Sequence, residues 1–343
     1  MEAVDVRGRF VWHQLMTRDV PGAKKFYTKL MGWKALPWPL DPNYTVCHAD
    51  AGPVAGIMEI TPDLPAEVPS HWLQYIGTRD VDGTAEAAVR AGGSIVRGPN
   101  EMKGAGRYAV LKDPQGAVFA IIDPENARGE SQGVPPLGTF SWHELATSDN
   151  EAAFAFYGAL FGWDAMERMD MGPIGVYLVF GTNGVQRGGM YIKPPDWPAP
   201  PNWMPYAHVP SVDESCAPAE AAGATLLNPP MDVPGGSRIA SLMDPAGAPF
   251  AIHSFPPAMT GAGVAAPKPK AKAKAKRKPK PAPKPKAKAK AKAKTKAKVK
   301  TKSKAKTKPK KAKAKAKAKA KAKVTRKVVK KAKKKVKIVR RKK

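Results

Sequence analysis

The sequence predicts an α+β protein built from paired βαβββ units, arranged as two domains in tandem and followed by a disordered basic tail. Three observations lead there. FVWHQLMTRD at 10–19 returns as FSWHELATSD at 140–149. Within each copy, runs with strand-like alternation are separated by stretches with helical spacing. Beyond Asp244 there is no acidic residue, and Lys, Ala and Pro take over the chain.

Charge separates body from tail. Residues 261–343 hold 41 of the 59 Lys and Arg and none of the 28 Asp and Glu, so the first 260 residues carry −10 and the tail +41. The overall +31 describes neither part. A body of this length is ample for one large core or two smaller ones. No basic stretch leads into an apolar one at the N-terminus, so no signal peptide is expected. No apolar run is long enough to span a bilayer. Cys47 and Cys216 do not occupy equivalent positions, and buried, reduced thiols in a cytoplasmic protein are expected.

The repeat can be followed residue by residue. At an offset of 130, Phe26-Tyr27 matches Phe156-Tyr157, and Gly32-Trp33 matches Gly162-Trp163. Met58 and Ile60 are aligned with Met190 and Ile192 at an offset of 132. From Tyr75/Tyr206 onward the offset is 131, matching Val81-Asp82 with Val212-Asp213, Arg107 with Arg238 and Asp113-Pro114 with Asp244-Pro245.

In the first copy, residues 10–17 read as a strand. Asp19 suits a helix N-cap; Ala23, Phe26-Tyr27 and Leu30 then recur at helical spacing until Gly32. Strand pieces follow at 44–48 and 54–60, then a strand at 72–78. Residues 81–91 read as a helix ended by Gly92-Gly93. Strands at 94–96, 107–112 and 117–122 complete the copy, with Asp113–Gly116 turning between the last two. The boundaries drawn are 8–125 and 139–256 for the two domains, 126–138 for a linker containing Pro135-Pro136, and 257–343 for the tail.

The order WHQLMTRD, FYTKLMGW, YIGTRDVD, GG, then GRYAVLKDPQGAVFAI, each with its counterpart in the second copy, resembles the vicinal-oxygen-chelate superfamily of glyoxalases, bleomycin-resistance proteins and extradiol dioxygenases. The resemblance covers roughly residues 8–255. It implies that paired βαβββ units curl into cup-shaped mixed sheets that hold a small ligand. It also implies that a divalent metal, where present, is bound by side chains on the first and last strands of each unit.

Those metal positions hold other residues here. The first is Trp12 in one copy and Trp142 in the other. The fourth-strand acid of the family matches Glu59, with Tyr191 in the second copy. The fifth-strand position falls at Leu73 and Met204, and the last at Ala120 and Ala251. Divalent metals need several His or carboxylate ligands at once, so no metal and no other cofactor is expected. A metal-dependent lyase or dioxygenase remains as an alternative if the strand register is misread. Expected ligand-binding residues are Trp12, Gln14, Glu59, Trp142, Glu144 and Tyr191, with the tryptophans stacking on a flat ligand. His13, His143 and His71 form an alternative polar site. One step along a strand reverses the face, so His13 and His143 point away from the cup in the expected register. His48, His208 and His253 have no counterparts and are read as incidental. Arg107 and Arg238 suit an anion or, more simply, a solvated strand start. WHELA lacks the second His of a zincin motif.

Residues 264–343 cannot build a core, because Ala offers little apolar area and unneutralised lysines repel. Prolines such as Pro279, Pro281 and Pro283 break helices further. Phosphate-dense DNA or RNA is the expected partner, bound without sequence preference because lysines act as point charges. Two readings follow. In one, the body binds or transforms a small molecule without metal and the tail holds it at the nucleoid. In the other, the protein is a DNA-associated architectural factor with a non-catalytic glyoxalase-like body.

Overall fold

The computed structural model describes residues 4–62, 64–129, 133–197 and 199–260. The tail expected from residue 257 and its nucleic-acid-binding segment 264–343 otherwise lie outside them; Pro257–Thr260, assigned by sequence to that tail, form a short helical turn instead.

The first copy comprises β1 (Phe10–Thr17), α1 (Val20–Met31), β2 (Lys34–Trp38), β3 (Asp41–Ala49), β4 (Gly52–Glu59), β5 (His71–Gly77), α2 (Val81–Arg90), β6 (Ser94–Met102), β7 (Gly106–Lys112) and β8 (Val118–Pro124). The second repeats it as β9 (Phe140–Thr147), α3 (Asn150–Phe161), β10 (Asp164–Asp170), β11 (Val176–Thr182), β12 (Val185–Ile192), β13 (Asn202–His208), α4 (Val212–Ala221), β14 (Thr225–Asp232), β15 (Arg238–Met243) and β16 (Pro249–Ser254). Each copy is one mixed eight-stranded sheet, ordered β2-β3-β4-β1-β5-β8-β7-β6 in the first and β10-β11-β12-β9-β13-β16-β15-β14 in the second. Antiparallel pairing of β1 with β5 and of β9 with β13 joins the two βαβββ units of each copy.

Local chemistry sets the helices. The Asp19 carboxylate accepts the Gly22 N–H at 2.9 Å, and Asp149 does the same for Ala152 at 3.0 Å, each satisfying an otherwise orphaned donor. Gly32 and Gly162 end α1 and α3 at φ +69° and +70°, where a side chain would be strained. Strand β2 is absent from the sequence expectation. It is an edge strand interrupted by Pro37, tolerable there because its outer side needs no ladder bond.

Each sheet buries its helix-bearing face against the other copy. One core joins Ile76, Val81, Leu111, Phe119 and Ile121 to Leu145, Phe156, Tyr157, Phe161, Trp163 and Trp203. A second joins Leu15, Phe26, Tyr27, Trp33, Ile57 and Trp72 to Val212, Leu242, Phe250 and Ile252. The first unit of each copy therefore shares its core with the second unit of the other. Helix α1 packs on α4, and α2 on α3.

Reciprocal polar contacts mark a pseudo-twofold axis. Tyr27 donates to Asp244 and Tyr157 to Asp113, both at 3.0 Å. The Trp33 indole donates to the Gly138 carbonyl at 2.7 Å and the Trp163 indole to that of Gly8 at 2.8 Å. Each aspartate also accepts backbone N–H groups of its own turn, so one carboxylate shapes a loop and pins the other copy. Cys47 and Cys216 are buried and free. Among the described residues, no helix is long and apolar enough to cross a membrane.

This sharing predicts that neither copy is stable alone. Expressed separately, residues 1–131 and 132–260 should expose their apolar faces and aggregate or unfold, and co-expression should restore a soluble complex. A half that is monomeric with a sharp thermal transition would contradict the shared core.

Candidate functional site

Alternation along β1 sorts its side chains. Trp12 and Gln14 face into the cup, while His13 and Leu15 face the other copy. The Trp12 indole donates to the Tyr44 hydroxyl at 2.8 Å. Tyr44 and Tyr75 hydroxyls then donate to Gln14 Oε1, each at 3.2 Å. The Gln14 amide nitrogen lies 2.9 Å from Met16 Sδ and 3.7 Å from Met58 Sδ. Burial raises both phenols above their ordinary pKa, keeping them protonated donors. Gly56 makes the network possible, since a Cβ there would sit 1.8 Å from the Tyr44 hydroxyl oxygen.

Trp12, Gln14, Tyr44 and Tyr75 line a cavity of about 600 Å³. Val11, Leu36, Trp38, Met102 and Ile122 supply further apolar wall, and His48, Arg9 and Arg128 are also part of the lining. The Arg9 guanidinium donates to the carbonyls of Asp5 at 2.9 Å and Arg128 at 3.0 Å. His48 thus belongs to the cup, which its lack of a counterpart had hidden.

The second cup repeats the network with one change. Trp142 donates to the Tyr177 hydroxyl at 3.0 Å. Tyr177 donates to Glu144 Oε2 at 2.9 Å and Tyr206 to Oε1 at 2.8 Å. The Tyr191 ring lies nearly parallel to that of Tyr177, centroids 6.3 Å apart. A carboxylate stands where the first cup has an amide. Burial pushes the Glu144 pKa up, and the bonds from Tyr206 and Tyr177 work against that rise.

Glu59 is not part of the cup. Pairing places Gly56 beside Gln14 and Gly189 beside Glu144, so the repeat offset on these strands is 133 and not 132. Met58 is the equivalent of Tyr191, and Glu59, one residue on, is exposed at the end of β4 on the face of Ile57. The residues missed by sequence are Tyr44, Tyr75, Tyr177 and Tyr206. Their signal was present, as Tyr44/Tyr177 recur at 133 and Tyr75/Tyr206 at 131, but tyrosine alternation alone does not separate a cup wall from a core.

The residues present do not fit a divalent metal in either cup. Trp12 and Trp142 offer only N–H donors. Leu73, Met204, Ala120 and Ala251 supply no hard donor, and the polar groups that remain, Gln14 and His48 in the first cup and Glu144 in the second, do not make up a ligand set. Among the described residues, no three His, Cys, Asp or Glu side chains converge as a metal would need.

The histidines lie elsewhere. His13 Nε2 and His143 Nε2 are 2.9 Å apart on the pseudo-twofold axis, both buried. Phe140 stacks on His13 at 3.9 Å and Phe10 on His143 at 3.7 Å. His143 Nδ1 lies 3.0 Å from the Arg187 carbonyl, which can only accept. That fixes Nδ1–H on His143, leaving its Nε2 to accept from Nε2–H of His13. The alternative polar site is thus a seam between copies, out of reach of either cup, and the misread-register route to metal chemistry loses its ligands. His71 shares the strand phase of Leu73 but donates Nδ1–H to the Pro69 carbonyl at 2.8 Å. Arg107 is clamped by Asp82 and Glu101, and Arg238 by Asp213 and Asp232.

Residues 9–121 and 139–252 each match the family model of the Glyoxalase/Bleomycin resistance protein/Dioxygenase superfamily. CFP32 of Mycobacterium tuberculosis, named as a glyoxylase, is 32% identical over 244 residues, covering 70% of this chain and 92% of that protein. Anthracycline biosynthesis protein DauV of Streptomyces sp. strain C5 is 30% identical over 284 residues, covering 74% and 98%. Among solved structures, the Mn(II)-bound glyoxalase from Novosphingobium aromaticivorans superposes with a TM-score of 0.53 at 16% identity, covering 72% of this chain and 82% of that one. The 2,3-dioxygenase LapB from Pseudomonas sp. KL28 gives 0.52 at 12% identity, covering 74% and 93%. At these identities the two structures share the fold.

The histidine seam has a pH signature. Burial, then repulsion from its neighbour, lowers the His13 pKa, and burial takes His143 down to about 3. In the unfolded chain both titrate at the ordinary value of about 6.5. Below that value the unfolded state binds protons the folded state refuses, so the pair's stabilisation is full above pH 6.5 and declines toward pH 3. The urea midpoint of the wild type should fall between pH 7.5 and 5 by more than that of His143→Asn. Equal falls would show that the pair does not titrate as buried neutral imidazoles.

Proposed function

Because the chain belongs to the Glyoxalase/Bleomycin resistance protein/Dioxygenase superfamily, we propose that its first cup binds a flat, largely apolar small molecule without a metal, and that its C-terminal segment attaches the protein to nucleic acid. The observation that carries the first part is the cavity of about 600 Å³ around Trp12 and Gln14, within the usual range for small-molecule sites. Its walls are largely aromatic and aliphatic, with Arg9, His48 and Arg128 also in the lining, and two of its phenols converge on one amide. Trp12, Trp38, Tyr44 and Tyr75 suit stacking on a planar ring system, while Gln14 and the phenols suit carbonyl or hydroxyl substituents. Relatives named for anthracycline biosynthesis fit a polycyclic, oxygenated ligand class. With phenols held protonated and an amide at the centre, the hydrogen-bond network of this cup binds and orients a ligand.

The probe is 1,4-dihydroxyanthraquinone, followed by quenching of tryptophan fluorescence. Saturable binding should survive exhaustive chelation, and Trp12→Ala should weaken it about tenfold, equivalent to ~1.4 kcal/mol. Loss of binding on chelation, or full affinity in Trp12→Ala, would overturn the reading.

The second part rests on charge. A body of −10 is repelled by phosphate, whereas residues 261–343 carry +41. Deleting residues 264–343 should abolish duplex binding and leave the thermal transition of the body nearly unchanged. Binding by the full chain should weaken with salt at about −0.9 in log K per phosphate contacted, alike on mixed and defined sequences. Tight duplex binding by the truncated chain would assign the partner to the wrong half.

A further inference from the structure

We infer that the second cup is a site for an organic ammonium ion, with Glu144 as its countercharge and Trp142, Tyr177 and Tyr191 as its aromatic walls. This rests on the reading of the cups as ligand sites and adds that the two have diverged in the charge they accept.

The argument begins with a carboxylate that lacks a cation. Glu144 is half-buried, and its oxygens accept from Tyr177 at 2.9 Å and Tyr206 at 2.8 Å. Both partners are neutral. Among the described residues, no Lys, Arg or His opposes the burial that raises its pKa. Charges in such surroundings are ordinarily paired, because an isolated one gives up its hydration without return. Each carboxylate oxygen has further acceptor capacity beyond one tyrosine bond.

The surroundings select the kind of cation. Trp142, Glu144, Tyr177 and Tyr191 are all partly exposed, so the carboxylate and three ring systems are within reach of a ligand entering the cup. Tyr191 and Tyr177 lie nearly parallel, and Trp142 is tied to Tyr177 by its indole N–H. Ring faces attract an alkylammonium group within about 6 Å of their centroids, most strongly where water is excluded. A hydrated metal ion finds no second hard ligand here, whereas an ammonium needs one charge and several ring faces.

The first cup provides the internal contrast. Gln14 replaces Glu144 and Met58 replaces Tyr191 on the same scaffold, removing the charge and one aromatic wall while keeping the equivalents of Trp142, Tyr177 and Tyr206. The amide-for-carboxylate exchange, together with Met58 for Tyr191 and with Arg9 and Arg128 in the lining of the first cup, separates that cup from an anionic one.

The test uses the full chain and benzyltrimethylammonium, titrated by calorimetry, with 1,4-dihydroxyanthraquinone as a separate first-cup probe. The wild type should bind the cation at one site. Glu144→Gln should weaken it at least about tenfold without changing anthraquinone binding, and Gln14→Glu should add a second cation site. No cation binding by the wild type, or equal affinity in Glu144→Gln, would overturn the inference. Failure of the anthraquinone probe with cation binding intact would instead fault the first-cup reading alone.

Discussion

Everything in this fold depends on the burial of each sheet's helix-bearing face against the other copy. A βαβββ unit has one apolar face, and a pair of units joined edge to edge through β1 and β5 still has it. The structure solves this by crossing over, so that Phe26 and Tyr27 share a core with Phe250, and Phe156 and Tyr157 share one with Phe119. Each such aromatic is worth on the order of 1.5–3 kcal/mol when fully buried. The polar contacts then fix the register of the two copies. Tyr27 accepts from Trp72 and donates to Asp244, Tyr157 accepts from Trp203 and donates to Asp113, and each aspartate is already oriented by the N–H groups of its own turn.

The cups follow from this arrangement. With one face of each sheet consumed by the seam, the other is free to curve around a ligand, and alternation delivers Trp12 and Gln14 to it while His13 goes to the axis. The indole-to-phenol-to-carbonyl chain joins the walls of the first cup by hydrogen bonds. In the family's metal-bearing members several hard ligands converge at this place, whereas here hydrogen bonds join residues that cannot coordinate. The position held by Gln14 or Glu144 sets the charge at the centre of the network, while the indole and phenols bonded around it are the same in both cups.

Much of this was legible in the sequence. The duplication, the capping aspartates and αL glycines of α1 and α3, and the cup-facing phase of Trp12 and Trp142 are local patterns, and local patterns survive folding. Strand β2 was missed because Pro37 and its exposed residues resemble a loop. Glu59 was misplaced because three extra residues in the β10–β11 connection carry the offset from 130 to 133 before β3 and β11 begin, one more than the 132 read from the sequence, and one residue on a strand exchanges the faces. The tyrosines of the network could not be told from core residues, since periodicity reports that a face is covered but not by what. For the same reason the exchange of cores between copies was invisible, and the histidine pair with it.

The central claim is that the two copies form one cooperative body, and scanning calorimetry of the full chain tests it most directly. A single endotherm whose calorimetric and van't Hoff enthalpies agree is expected, shifted as a whole to lower temperature by Tyr27→Phe. Two resolved endotherms, with Tyr27→Phe moving one of them alone, would contradict a core shared across the seam.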